Sequence, residues 1–123
     1  MSHKHLDDDI LAVLREVMED GYPLLLDTYL NDSELRLAHL RTFSDTCQLR
    51  EAAHSFKGSS SNMGALRLAQ LCGQLETQAT RFPAQDIEAL VERIAIEFAE
   101  VRRLFQEERQ RFAIEHAYRT SSA

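Results

Sequence analysis

Apolar positions recur along this chain every three or four residues, and each sustained run of them has the period of a helix. Ile10, Val13, Leu14, Val17 and Met18 form the first stripe, in a helix expected from about Asp7 to Asp20. Asp7, Asp8 and Asp9 complement the dipole at its start. Gly21 ends it, and Pro23 suits the first turn of a second helix. That helix is expected to run towards Phe43, with Leu26, Tyr29, Leu30, Leu37 and Leu40 in phase. Asn31, Asp32 and Ser33 favour caps and turns, so a break there stays open. The phase carries across them, and one long helix is the expectation.

Ser44, Asp45 and Thr46 make a short connection with a good N-cap for a third helix. Its inward stripe is Leu49, Ala52, Ala53, Phe56, Ser60 and Met63, and it should fade between Asn62 and Gly64. A fourth helix is expected from Ala65 to about Arg81, through Leu68, Leu71, Cys72, Leu75 and Ala79. After a break at Phe82-Pro83-Ala84-Gln85, a fifth starts near Asp86. It carries Ile87, Leu90, Val91, Ile94, Phe98, Val101 and Phe105 and reaches Phe112 or beyond. Short connections make sequential helices antiparallel neighbours. The expected fold is therefore all-α: an antiparallel up-down-up-down four-helix bundle of helices two to five, with an additional short N-terminal helix. Residues 1–5 read as a flexible tail, 6–116 as one domain and 117–123 as a frayed end. His3 and His5 lie in the tail, where a loose end is preferred to a weak metal site. His39 reads as a histidine packed at the apolar edge of the second helix.

Composition narrows the function. A length of 123 residues implies one domain, and a 44% hydrophobic content permits a folded core. The net charge of −6 argues against nucleic acid as the main partner, while leaving room for a local basic patch at Arg50 and Lys57. No apolar run approaches the ~20 residues of a membrane span, and no apolar signal stretch follows Met1. Cys47 and Cys72 are too few for a disulfide scaffold, which suits a reduced, cytoplasmic chain, and Cys72 falls on a core stripe.

The third helix also carries candidate chemistry. At about 100° per residue, its core stripe lies opposite His54, while Arg50, Lys57, Gly58 and Ser61 fall on the same solvated face as His54. A glycine inside a helix costs ~1 kcal/mol relative to alanine, and Gly58 stands one turn from the imidazole, where a missing side chain clears space. A neutral imidazole is nucleophilic near pH 7, and the Lys57 ammonium can follow a phosphoryl oxygen as a point charge. The plainer reading is a solvated histidine beside a lysine, with a glycine near a helix end.

His54, Lys57, Gly58, Ser59, Ser60 and Gly64, followed by Leu68, Cys72, Leu75 and Glu76, resemble the signature of the histidine-containing phosphotransfer (HPt) family, in its free-standing bacterial form. The resemblance implies a phosphoryl shuttle between aspartates of receiver domains in a multistep two-component phosphorelay. The partners would be the receiver domain of a hybrid sensor kinase and that of a downstream response regulator. It assigns His54 as phosphoacceptor and Lys57 as the steadying charge. Glu76 stands where many relatives place a glutamine that hydrogen-bonds the imidazole. Arg50, Gly58 and Ser61 would belong to the docking surface, although a solvated serine is an equal reading for Ser61. The resemblance further implies no autokinase activity, no cofactor of its own, Mg2+ only on the receiver, and a monomer. No nucleotide-binding loop is visible.

Two rivals remain at this level. Glu51-Ala52-Ala53-His54 matches the Glu-x-x-His element of di-iron bundles, but it lacks a second copy and faces away from the expected core. A non-catalytic helical adaptor that docks receiver domains or other signalling proteins is the other, since fold alone does not choose a function.

Overall fold

The computed structural model describes residues 5–42 and 45–121, the last four by backbone alone. These residues form α1 (Asp8–Met18), a 3-10 turn (Glu19–Gly21), α2 (Tyr22–Thr42), α3 (Thr46–Asn62), α4 (Leu66–Gln78) and α5 (Ala84–Ser121). No strand occurs among them. The expected tail lies outside them as far as residue 4, as do Phe43 and Ser44.

Cross-helix bonds fix the direction of each neighbour. Tyr29 pairs with Ser60 and Arg36 with Ser55, so α2 and α3 run antiparallel. Glu76 on α4 meets both His54 and Lys57 of α3. Asp27, Glu34 and Arg41 on α2 pair in turn with Arg109, Arg102 and Glu92 on α5, again antiparallel. With α4 packed on α5, the four long helices close a ring. Inside it Leu26, Phe56, Leu68, Leu75, Ile94, Phe98 and Phe105 are fully buried. Each such side chain contributes about 1.5–3 kcal/mol by leaving water. Aromatic edges interlock, with Phe56 on Phe98 at 6.1 Å and Tyr29 on Phe105 at 5.4 Å between centroids.

α2 is continuous through the doubtful segment. Asn31 and Asp32 face water, while Leu30, Ser33 and Leu37 keep the buried phase. Core burial there outweighs the local preference for a turn. His39 is exposed, not packed at the apolar edge.

The N-terminal helix departs most from the pattern. Leu11 is its buried residue and Ile10 and Leu14 are half-buried, whereas Val13 and Val17 of the expected stripe are 58% and 70% exposed. The helix is rotated so that Arg15 reaches Glu108, a carboxylate buried on α5 that also accepts from the Tyr22 hydroxyl at 3.0 Å. Burial, with the negative Glu108 carboxylate adding to it, pushes the Tyr22 phenol well above its usual range. A second buried carboxylate, Glu97, holds His5 at 2.7 Å and Arg67 at 3.6 Å. Residue 5, expected in the loose tail, is therefore half-buried against α5. At the other end α5 stays helical through Ser121, past the Ala117 where fraying is expected.

The α3–α4 corner sets the position of everything on α3. Gly64 takes φ +78°, and Ala65 N donates to Ser60 O at 2.8 Å while Gly64 N donates to Ser61 O at 3.1 Å. These are the two bonds of a Schellman stop. Gly64 O also accepts from Asp7 N at 2.8 Å, joining the corner to the start of α1. A β-carbon there would lie 3.3 Å from Asp7 O and from two Ile10 side-chain atoms. Gly64→Ala is accordingly expected to destabilise the protein by about 1–2 kcal/mol, from left-handed backbone strain with crowding in addition. Denaturant unfolding measures this, and an unchanged midpoint would remove Gly64 from its structural role.

Candidate functional site

α3 is held straight up to His54 by its own cap and stripe. The Asp45 carboxylate accepts from Cys47 N at 2.8 Å and Gln48 N at 3.0 Å. Leu49, Ala53, Phe56 and Ser60 are buried, with the Ser60 hydroxyl paired to Tyr29 at 2.8 Å. That buried face turns the opposite one outward, and the His54 side chain is 69% exposed. Ser55, beside it, accepts from Arg36 Nε at 3.1 Å, which ties this turn of α3 to α2.

Glu76 gathers the chemistry from the other side. One carboxylate oxygen, Oε1, lies 2.8 Å from His54 Nδ1, and the other, Oε2, lies 2.6 Å from Lys57 Nζ. The Lys57 hydrogen bond is the main reason the Glu76 carboxyl is held below its ordinary value, with the His54 bond adding to it and partial desolvation opposing. An ionised carboxylate only accepts, so His54 Nδ1 carries the proton and donates it to Glu76. In the neutral ring the lone pair then lies on Nε2, outside this bond.

Two glycines make room. A β-carbon on Gly58 would meet nothing within 4 Å, so the space beside His54 is open. On α4 a β-carbon on Gly73 would come within 3.3 Å of Lys57 Cδ, so the bare backbone there lets the lysine stem cross to Glu76. Gly73 carries no signal in the stripe pattern, because only the partner helix gives it a role. Arg50 and Lys57 line one open polar groove between α3 and α4, which also includes Arg81. Ser61 is exposed on α3 and has no side-chain bond to His54, Lys57 or Glu76 among the described residues. Glu51 is exposed, and among the described residues no three His, Cys, Asp or Glu side chains are grouped to hold a metal.

An exposed imidazole with one nitrogen pinned and a cation one turn away thus stand on an antiparallel bundle of helices. Residues 24–111 match the model of the Hpt domain family, and the chain belongs to that family. Among solved structures it is similar to histidine-containing phosphotransfer protein B (HptB) from Pseudomonas aeruginosa PAO1. The two share 55% sequence identity with a TM-score of 0.85, over 89% of this chain and 98% of that one. No curated protein matches it. The chain is a histidine phosphotransfer protein of a phosphorelay, a carrier whose partners are receiver domains. No helix among the described residues is long and apolar enough to cross a membrane.

The Glu76 bridge has a measurable signature. A carboxyl whose folded-state pKa is depressed contributes stability that is complete above its unfolded value and lost as pH falls through the lower folded one. Lys57→Met should therefore move the Glu76 carboxyl titration upward, towards the ordinary 4.5, in a carbon-detected NMR titration. An unmoved midpoint would show that the ammonium does not hold this carboxylate.

Proposed function

We propose that His54 is the phosphoacceptor of this carrier and that Nε2 is the nucleophilic atom. The single observation that supports this most is the 2.8 Å bond from Nδ1 to Glu76, which leaves the other ring nitrogen with its lone pair on an exposed ring. Nε2 attacks the phosphorus of a receiver's phosphoaspartate. The N–P bond forms, the aspartyl O–P bond breaks, and the aspartate leaves as a carboxylate. The Nδ1 proton stays on the ring throughout, and the positive charge the imidazole gains is offset by Glu76. Transfer to a second receiver is the reverse of this step. Such transfer needs alignment and charge neutralisation more than acid–base chemistry.

Lys57 serves the same step as a movable charge. In the resting chain its ammonium is on Glu76, within one turn of the ring. A phosphoryl group brings about −2 charge, enough to compete for that ammonium. Gly58 keeps the approach open for the receiver, and Arg50 and Ser61 lie on the same face. Any Mg2+ belongs to the receiver, and ATP chemistry belongs to the sensor kinase, so this chain has no autokinase activity. We further propose a cytoplasmic monomer that relays from the receiver of a hybrid sensor kinase to that of a response regulator. The domain spans residues 6–116.

His54→Gln should abolish phosphoryl acceptance from a phosphorylated receiver while changing stability by no more than about 0.5 kcal/mol, because the side chain is exposed. Acid-labile label on the variant would place the acceptor elsewhere.

Gly58→Gln separates access from structure in one protein. It should melt no lower than the parent, since a good helix former replaces glycine in open space. Its transfer rate should drop sharply, because a long side chain then stands one turn from His54. A variant that melts lower yet transfers normally would contradict the role given to Gly58.

A further inference from the structure

The cations of this acidic chain are distributed unevenly. Arg15, Arg41, Arg67, Arg102, Arg103, Arg109 and Arg111 are each tied to a carboxylate. Arg36, Arg50, Arg81 and Arg93 form no ion pair among the described residues, and two of these, Arg50 and Arg81, line the groove between α3 and α4, which has a volume of about 550 Å³. Lys57 lines it as well, and Thr77 and Thr80 add hydroxyls. The groove's one carboxylate, Glu76, is committed to His54 and Lys57. A chain of net charge −6 thus gathers three cations, Arg50, Lys57 and Arg81, and one carboxylate in a groove that reaches His54 through Glu76.

We propose that this groove is a docking surface for acidic side chains of the receiver domain, those bordering its phosphoryl-bearing aspartate. This rests on the reading of His54 as acceptor and adds where the partner sits: over the α3–α4 side, with Arg81, in the turn that follows α4, as a contact. The charges are complementary, because a receiver must bring its phosphoaspartate, and the carboxylates that hold its metal, up against His54. The groove is continuous with that point of contact through Glu76 and Lys57. Two guanidinium groups without carboxylates of their own offer forked donors to a partner's carboxylates at little cost in lost internal pairing. Exposed charges of this kind act on encounter and on the salt dependence of binding more than on the chemical step.

The test uses the full chain and a phosphorylated receiver domain that transfers to it. Initial rates are measured against receiver concentration at low and high salt. Replacing both arginines (Arg50→Ala with Arg81→Ala) should raise KM for the receiver about tenfold at low salt and flatten its salt dependence, while kcat stays within about twofold. Arg81→Glu alone should raise KM further than Arg81→Ala. Arg93→Ala removes an equal charge from exposed α5, outside the groove, and should leave KM where it was. The proposal is overturned if the double variant keeps the parental KM, if Arg93→Ala raises KM equally, or if kcat falls while KM does not move. His54→Gln in the same assay keeps the two claims apart. Label on that variant would refute the acceptor, and KM values of the arginine variants refute or uphold the groove.

Discussion

The site depends on the position of one carboxylate. Among the described residues Glu76 alone links α4 to both His54 and Lys57 of α3, with one oxygen for each. Through Oε1 it sets which nitrogen of the neutral imidazole carries the proton, and through Oε2 it holds the Lys57 ammonium. Both effects need the carboxylate ionised, and the same two partners keep it so. An amide at this place could accept from Nδ1–H but would offer no charge to hold Lys57 or to offset a positively charged ring. The bridge is thus electrostatic, and both its partners are partly exposed.

That bridge is only as precise as the α3–α4 corner beneath it. The two helices are joined by a three-residue turn in which Gly64 takes a left-handed backbone, and the bonds from Ala65 and Gly64 lock the end of α3. Gly73 then allows the Lys57 stem to lie against α4. Of the two residues without side chains, one shapes the corner between α3 and α4 and the other leaves room for the Lys57 stem. Further from the site, Glu108 and Glu97 on α5 are buried and satisfied by groups from the N-terminal segment and α2 or α4. Buried carboxylates with these partners specify how α1 sits, because removing a partner would leave a desolvated charge. This is why α1 follows Arg15 rather than its valines.

Much of this was legible in the one-dimensional pattern, for a physical reason. Helical periodicity is local, so the stripes of α2 to α5 state which residues face inward, and burial of Leu26, Phe56, Leu75, Ile94 and Phe105 agrees with them. The same period aims His54 outward, and the glycine four residues later is visible without any fold. Short connections between long helices imply antiparallel neighbours, which the paired side chains of α2 and α3 display. Even the family likeness rests on residues of α3 and α4 that are close in sequence.

What the sequence left open was decided by contacts between segments far apart along the chain. Val13 and Val17 satisfy the period of α1 as well as Leu11 does, and the rotation follows contacts with distant segments: Arg15 with the buried Glu108, 93 residues away, and Asp7 N with Gly64 O. His5 reads as tail until Glu97 is brought to it across 92 residues. A turn-forming run in α2 stays helical because core burial on Leu30, Ser33 and Leu37 outweighs its propensity. The pairing of Glu76 with both His54 and Lys57, the clearance at Gly73, and the gathering of Arg50 and Arg81 into one groove likewise exist only once α3 and α4 are packed. Periodicity gives each helix its inward face. The partner of each outward or polar side chain depends on distance in space, which a linear pattern does not contain.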